Sequence, residues 1–252
     1  MPCSGNLMSD LLIDAKGIQT YYGASHILRG INFSVARGET IGLMGRNGMG
    51  KSTLLKSIMG LVKPRSGSLD IMGQAMLGRA PYEISQLGIA YVPEGRGIFG
   101  NLSVVENLKM AARAGRPGSA ADGVGRRNDW TYDRVLETFP RLKERLGHGG
   151  QQLSGGEQQM LTIARTLMGN PSCVLLDEPS EGLAPIIVEE MANSIRALKG
   201  EGVSVILCEQ NLHFALGVAD RAYIIEKGQI RFGGSMAELA ANESLREQYL
   251  SV

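Results

Sequence analysis

The sequence has almost no net charge and no long hydrophobic run. Its 252 residues include 26 Lys plus Arg against 25 Asp plus Glu. The sequence lacks the basic excess that would indicate a nucleic-acid partner. It also lacks the acidic excess that would indicate a disordered chain. The longest strongly apolar runs, such as Val203 to Cys208, have the length of a strand and fall well short of the roughly 20 residues of a membrane-spanning helix. Such a chain would serve a membrane only through a partner.

Cysteine is also scarce. Cys3, Cys173 and Cys208 form neither an even set for disulfides nor the spacing of a zinc site. Cys173 and Cys208 lie in apolar strand patterns, which is typical of small core residues. Residues 1–10 lack a basic segment followed by an apolar core, so they predict a flexible N-terminal tail and not a secretory signal. A reducing, cytoplasmic setting fits these absences.

Short apolar strands that alternate with helical segments make up most of the chain. A hydrophobic content of 43% over this length is enough for one α/β domain, predicted at 11–252. The alternation predicts a mostly parallel sheet with helices on both faces. Leu11 to Val35 reads as further short strands. The other predicted strands are Thr40 to Met44, Ser68 to Met72, Ile89 to Val92, Cys173 to Leu176, Val203 to Leu207 and Ala222 to Glu226.

The stretch from about 95 to 153 has a different texture and predicts an inserted helical subdomain. Val104 to Ala114 and Tyr132 to Leu146 have helical periodicity. Between them, Gly115 to Asn128 is rich in Gly, Ser, Ala and Arg. This composition predicts a surface loop and the least ordered internal segment.

A phosphate-binding pattern, G-x-x-x-x-G-K-[ST], lies between a predicted strand and a predicted helix. Glycines let the backbone curl so that N–H groups point at phosphate oxygens, and the helix N-terminus adds its positive end. Lys51 can reach the β- and γ-phosphates, and the Ser52 hydroxyl can bind Mg²⁺. A chance glycine-rich turn is the alternative, and the strand–helix context argues against it. The predicted ATP-binding residues here are Gly45, Arg46, Asn47, Gly48, Met49, Gly50, Lys51, Ser52 and Thr53.

A second apolar strand ends in two acids, Asp177 and Glu178. Ligands gather at the carboxyl ends of parallel strands, so Asp177 is predicted to hold Mg²⁺, through water, near Lys51. Glu178 is predicted to orient or deprotonate the attacking water. A solvated strand end is the alternative. Two acids after four apolar residues, in a chain with a phosphate-binding pattern, favour catalysis.

About twenty residues before Asp177 stands Leu-Ser-Gly-Gly-Glu-Gln-Gln, at 153–159. Ser154 and Glu157 have the spacing of a capping box at the start of a helix. Capping does not explain the two glycines, Gly155 and Gly156, because glycine weakens a first turn. Glycines there let a phosphate approach bare N–H groups at the positive helix end.

Taken in order, these motifs resemble those of ABC ATPases, and the resemblance runs from about Leu11 to Leu250. It implies a P-loop NTPase fold with an N-terminal antiparallel β subdomain and a helical insertion that docks on membrane subunits. It also implies two ATP sites in a head-to-tail dimer, each completed by residues 154–157 of the other subunit. Tyr22 lies where the family stacks an aromatic ring on adenine, although such a residue taken alone is more often an ordinary strand residue.

Three positions depart from the commonest pattern of that family. Glu94 stands where a glutamine usually contacts Mg²⁺ and the attacking water, which keeps a hard oxygen ligand but adds negative charge. Gln210 replaces a histidine that senses the γ-phosphate, and glutamine cannot carry a proton at neutral pH. Ala184 replaces an aspartate of the loop between the subunits. Glu94 and Gln210 thus join Lys51 and Glu178 in the predicted catalytic set, and Glu94 joins Ser52 and Asp177 in the predicted metal set.

The departures together resemble one branch, the ATPases of branched-chain (hydrophobic) amino acid importers. The segments at 92–96, 154–161, 182–185 and 209–211 carry this likeness, while 25–30 and 43–48 also resemble urea and short-chain amide importers. The resemblance implies a sister or identical ATPase subunit, two permeases and a periplasmic binding protein, with no contact to the transported substrate. It places the chain peripherally at the cytoplasmic face of the inner membrane. An exporter ATPase remains the alternative. DNA-repair and translation ATPases of this family need coiled coils, zinc cysteines or tandem cassettes, which this sequence lacks.

Overall fold

The computed structural model describes residues 11–113 and 129–250. Cys3, the predicted tail at 1–10 and the whole of the predicted loop Gly115 to Asn128 lie outside these ranges. Within them, the strands are β1 (Leu11–Tyr22), β2 (Ser25–Ala36), β3 (Thr40–Met44), β4 (Ser66–Ile71), β5 (Gln74–Ala75), β6 (Ile89–Val92), β7 (Cys173–Asp177), β8 (Ser204–Glu209), β9 (Arg221–Glu226) and β10 (Gln229–Ser235). The helices are α1 (Lys51–Ile58), α2 (Pro81–Gln86), α3 (Val104–Lys109), α4 (Tyr132–Thr138), α5 (Pro140–Lys143), α6 (Gly155–Leu167), α7 (Pro185–Gly200), α8 (Leu212–Leu216), α9 (Met236–Ala241) and α10 (Glu243–Tyr249).

The described strands form two sheets, as the predicted fold class requires. One is antiparallel, in the order β2-β1-β4-β5, and the other runs β10-β9-β3-β8-β7-β6. In the second sheet all neighbours are parallel except β10, which pairs antiparallel with β9. The mostly parallel sheet and the N-terminal antiparallel sheet are therefore confirmed.

Alternating side chains of the central strands pack into two cores on opposite faces of the parallel sheet. In β7, Val174 and Leu176 belong to the core formed with α3, α4, α6 and α7. Cys173 and Leu175 belong to the core formed with α1 and the antiparallel sheet. This is the two-residue period of a strand buried on both faces. Burial raises the pKa of the Cys173 thiol, which suits a small core residue and not a reactive one.

The prediction of one continuous helix from Tyr132 to Leu146 is wrong. The chain breaks it at Phe139, whose backbone is not helical (φ −123°, ψ 71°), into α4 and α5. Pro140 explains the break, because a proline excludes the helical conformation from the preceding residue and cannot donate an N–H. The helix predicted from Val104 to Ala114 is also shorter and ends at Lys109.

The helices of the two described ranges include none with both the length and the hydropathy needed to cross a lipid bilayer. Strand β10 and helices α9 and α10 were not predicted. Strand β10 and α10 contain no buried residue, whereas α9 is only six residues long, although its Met236 and Leu239 are buried.

Candidate active site

The phosphate-binding pattern forms a tight loop between β3 and α1. Gly45 has φ +149°, and a Cβ there would lie 2.4 Å from the Ile225 carbonyl oxygen of β9. Gly50 has φ +110° and would bring a Cβ within 3.0 Å of Leu28. Only glycine meets both the backbone angle and the close approach. The loop is thus pressed against the β9–β10 hairpin, where the Gly228 N–H also donates to the Met49 carbonyl (3.0 Å).

Helix α1 begins at Lys51, directly after the loop. Gly50 supplies no side chain to cap it, and its first turn contains no acidic residue. The first N–H groups of a helix have no partner within the helix, and together with the helix dipole they favour a bound anion. Arg46, Asn47 and Gly48 form the exposed tip of the loop, and Thr53 lies buried within α1.

The Lys51 ammonium lies in the centre of the site and is 3% exposed. It donates to the carbonyl oxygens of Gly45 (2.7 Å) and Arg46 (3.1 Å). It also forms an ion pair with Glu178 Oε1 (2.9 Å). An ammonium has three protons, so each can be matched to one of these oxygens. The lysine of one motif and the acid of the other, 127 positions apart in sequence, are in direct contact.

Asp177 is 1% exposed and is held by two hydroxyl groups. Ser52 Oγ donates to Asp177 Oδ1 (2.8 Å), and Tyr91 Oη donates to Asp177 Oδ2 (2.8 Å). Burial and then the hydrogen bond to Asp177 raise the pKa of Tyr91, which therefore keeps its proton. The structure brings the predicted metal residues Ser52 and Asp177 together and adds Tyr91, which was not predicted.

Glu178 and Gln210 are joined by a hydrogen bond. Gln210 Nε2 donates to Glu178 Oε2 (3.0 Å), while Glu178 Oε1 faces Lys51. Glu178 has φ +48°, an uncommon angle for a residue other than glycine. Its N–H donates to the Cys208 carbonyl (3.0 Å), which fixes this conformation. Strained residues of this kind concentrate at functional sites.

Glu209, immediately before Gln210, is a buried carboxylate that sequence reasoning missed. It is 3% exposed and accepts from the backbone N–H groups of Ser180 (3.0 Å), Gln210 (3.2 Å) and Asn211 (3.4 Å). Burial raises the pKa of Glu209, and the hydrogen bond from Ser180 opposes that rise. Glu209 thus ties the loop after Glu178 to the loop that carries Gln210. An acid at the end of an apolar strand was the available signal.

Glu94 lies on a cleft of about 440 Å³ together with Glu178 and Glu181. It is exposed and has no hydrogen bond to Ser52 or Asp177 among those of the described residues. Desolvation and then the charges of Glu178 and Glu94 raise the pKa of Glu181. The negative charge expected from Glu94 therefore acts on the neighbouring carboxyl group of Glu181.

Ser154 caps α6 as the sequence predicts. Ser154 Oγ accepts from the Glu157 N–H (3.3 Å), and Glu157 Oε2 accepts from the Ser154 N–H (2.8 Å). Ser154 is exposed, and Glu157 is half-buried. A Cβ on Gly156 would lie 2.6 Å from Ile187 Cγ2, and one on Gly155 would lie 2.9 Å from the Arg96 guanidinium. Close packing within the chain thus also requires glycine at positions 155 and 156, which the sequence did not indicate.

Tyr22 stands at the end of β1 with a half-exposed ring (47%). Its neighbour Tyr21 is occupied, because its ring stacks on His26 at 4.1 Å and packs under Arg65 at 3.8 Å. Of the two tyrosines, Tyr22 is the one whose ring is available to a ligand.

The residues fit a magnesium ion that arrives with phosphate. The Ser52 hydroxyl and the Asp177 carboxylate are adjacent hard oxygens, and Mg²⁺ commonly uses one or two protein ligands plus phosphate oxygens and water. Over residues 11–113 and 129–250, no cluster of three His, Cys, Asp or Glu side chains is arranged to hold a metal by itself. Such a site would depend on the nucleotide.

Comparisons with known proteins agree on one family. Residues 28–181 match the family described as ABC transporter. The high-affinity branched-chain amino acid transport ATP-binding protein BraG of Pseudomonas aeruginosa is 44% identical over 235 residues, covering 92% of this chain and 97% of that protein. A probable branched-chain amino acid transport ATP-binding protein, LivF, of Archaeoglobus fulgidus is 34% identical, covering 92% and 95%. The lipopolysaccharide export system ATP-binding protein LptB of Escherichia coli is 31% identical, covering 94% and 96%.

Solved structures with this fold include a nucleotide-free ATP-binding cassette from an ABC transporter, with a TM-score of 0.78 and 25% identity over 94% of this chain and 98% of that one. The ADP conformation of the cassette MJ1267 has a TM-score of 0.77 and 25% identity, with 94% and 97% covered.

Proposed function

Because the chain belongs to the ABC transporter family, we propose that it is the ATP-hydrolysing subunit of an importer of branched-chain or other hydrophobic amino acids. The observation that carries the import half of the proposal is the 44% identity with BraG, which extends over 97% of that relative. The direct contact between Lys51 and Glu178 (2.9 Å) supports the chemistry.

Nucleotide binding begins with an exchange of partners at Lys51. Its protons are donated to two backbone carbonyls and to Glu178, so a phosphate oxygen has to replace at least one of these acceptors. The carbonyls belong to the loop itself, whereas Glu178 holds Lys51 through a side chain that can turn away. Phosphate binding at Lys51 therefore releases Glu178 Oε1, and the base becomes available only when the substrate is present.

Glu178 then takes a proton from the attacking water, and Gln210 orients the carboxylate through Oε2. Lys51 and the N–H groups at the start of α1 stabilise the charge that develops on the transferred phosphoryl group. Magnesium, held by Ser52 and Asp177, would neutralise charge on the phosphates. Gln210 cannot act as acid or base, so it contributes position and hydrogen bonding only.

The partner of this site is a second ATPase subunit, either a copy of this chain or a sister. Ser154, the N-cap of α6, is exposed on the surface, where it can face a nucleotide bound by another subunit. Tyr22 supplies a ring for the adenine, and Glu94 adds an oxygen near the attacking water. Two permeases and a periplasmic binding protein complete the importer and place this chain at the cytoplasmic face of the inner membrane. An exporter subunit is the second candidate, since LptB relatives are 31% identical.

We expect reconstitution to separate these functions. The chain is co-expressed with the permease and binding-protein genes of its locus, and the complex is placed in proteoliposomes. ATP-dependent uptake of leucine, isoleucine or valine that is lost in Lys51→Ala supports the proposal. Uptake of urea or acetamide in place of these amino acids would overturn the substrate assignment, and a lack of ATP hydrolysis by the wild-type complex would overturn the enzymatic one.

The permeases need a surface on this chain, and a groove lined by both apolar and basic side chains suits them. The groove has a volume of about 410 Å³ and is lined by Leu61, Met110 and Arg165, among others. Leu61 is 51% exposed and Met110 55% exposed, so the groove presents two large apolar side chains to a partner. Met110 directly follows α3 of the predicted helical insertion, so we assign this groove to a cytoplasmic segment of a permease.

Met110→Glu should weaken binding of the chain to its permeases by at least about 10-fold, because replacing the apolar side chain by a carboxylate that the contact takes out of water costs more than 1 kcal/mol. Binding is measured by titrating the chain onto the detergent-solubilised permease pair. Leu216→Glu is the matched control, since Leu216 is also exposed (38%) but does not line the groove. Unchanged affinity of Met110→Glu would contradict this assignment.

A further inference from the structure

Tyr91 makes a contact that the mechanism above does not use. It lies on β6, one strand away from Asp177, and its hydroxyl donates to Asp177 Oδ2 at 2.8 Å. In the parallel pair β6–β7, Tyr91 is in register with Leu175, so Asp177 lies two residues, about 6.6 Å, further along the strand. A tyrosine side chain is long enough to reach it, whereas a serine or threonine side chain at position 91 is too short.

This bond decides how the Asp177 carboxylate is turned. Oδ1 accepts from Ser52 and Oδ2 accepts from Tyr91, both at 2.8 Å. A carboxylate held at both oxygens cannot rotate about its Cβ–Cγ bond without breaking a hydrogen bond. Asp177 is almost fully buried, so little water is available to replace a lost donor. Without Tyr91, only Ser52 would set the direction of Oδ1.

We propose that Tyr91 is a positioning residue for the magnesium–nucleotide complex: its hydroxyl orients Asp177 so that Oδ1 stays beside Ser52 and faces the metal. This rests on the proposed ATPase function. Groups that hold metal ligands in place typically change metal affinity by about 10–100-fold when removed. Tyr91 is expected to act on the metal and not on the phosphates, which Lys51 and the loop N–H groups bind.

The test compares metal binding with metal-free nucleotide binding in the full-length chain. A fluorescent trinitrophenyl-ATP reports nucleotide binding in EDTA, and Mg²⁺ is then titrated at saturating nucleotide. Tyr91→Phe should raise the apparent dissociation constant for Mg²⁺ about 10-fold, with binding in EDTA unchanged. Paramagnetic resonance with Mn²⁺ gives a second measure of the same affinity.

Tyr223→Phe is the matched control. The Tyr223 hydroxyl also takes part in a hydrogen bond, with Arg221 (3.0 Å). Tyr223 is buried, whereas Tyr91 is half-buried, and Tyr223 lies on β9. Tyr223→Phe should leave the affinities for Mg²⁺ and for nucleotide in EDTA as in the wild type. An equal loss of Mg²⁺ affinity in both variants would overturn the proposal, because it would indicate general loosening.

A double-mutant cycle tests whether Tyr91 acts through Asp177. Asp177→Asn alone should abolish most of the Mg²⁺ dependence, and adding Tyr91→Phe to it should have no further effect, because the two residues act through one contact. Independent losses would overturn the proposal, as would wild-type Mg²⁺ affinity in Tyr91→Phe. If the wild-type chain bound no nucleotide, the proposed function itself would fail, which is a separate and recognisable result.

Discussion

Glu178→Gln should lower ATPase turnover by about 10²–10⁴-fold, the range expected for loss of a general base. Glutamine keeps the shape of the side chain and can still accept a hydrogen bond from Gln210, which now bonds Glu178 Oε2 at 3.0 Å. It cannot accept the proton of water at neutral pH. ATP binding should persist, and it should be tighter if the lost ion pair with Lys51 (2.9 Å) is what phosphate has to displace. Single-turnover kinetics and nucleotide binding on the same preparation measure both effects.

Glu181→Gln provides the control for Glu178→Gln. Glu181 lines the same cleft as Glu178, but the structure gives it no ion pair with Lys51 and no hydrogen bond to Gln210 among the described contacts. Its turnover should stay within a few-fold of the wild type. The opposite pattern, with Glu181→Gln inactive and Glu178→Gln active, would assign the base to Glu181 and contradict the mechanism.

Ser154→Arg should stop hydrolysis in the assembled transporter, by at least about 100-fold, while the isolated chain still binds ATP. Ser154 is the exposed N-cap of α6, and it belongs to the surface that we propose faces the nucleotide of the neighbouring subunit. It is not part of the loop that binds the phosphates in its own subunit. A bulky cation there blocks close approach of the helix end, and loss of a group that stabilises transition-state charge typically costs 10²–10³-fold. Turnover of the complex and ATP binding by the free chain are compared.

Ser154→Ala separates this effect from loss of the helix cap. It removes the bond from Ser154 Oγ to the Glu157 N–H (3.3 Å), which costs about 1 kcal/mol of helix stability, but it adds no bulk or charge. The alanine variant should retain part of its turnover. Normal hydrolysis by Ser154→Arg in the complex would show that this helix end does not complete a site in trans.

Much of the fold could be predicted because its signals are local. Strands β3 and β6 lie where the apolar runs predict them. A short apolar run bounded by turns is typical of a strand buried in a sheet that helices cover on both faces. The break at Phe139 could also have been found, because Pro140 is visible in the sequence and excludes a continuous helix. The edge strand β10 carries no such signal, as its residues are partly exposed.

The predicted site residues are of two kinds in the structure. Glu178 is in direct contact with Lys51 and Gln210, through an ion pair and a hydrogen bond, and Ser52 is hydrogen-bonded to Asp177. Glu94 lies on the same cleft as Glu178 but has no hydrogen bond to Ser52 or Asp177 among the described contacts. The glycines of residues 154–157 are also required by packing against Ile187 and Arg96. Their roles in catalysis stay predictions until the substitutions are measured.

The sequence by itself determined the phosphate-binding loop, the two acids at the end of β7 and the capped start of α6, because each depends on residues only a few positions apart. Only the tertiary structure decided that Tyr91 fixes Asp177, that Glu209 joins the loops bearing Ser180 and Gln210, and that Lys51 pairs with Glu178. Those contacts join residues of different strands and loops. Whether these residues meet depends on the order and register of the strands, which no short segment of the sequence encodes.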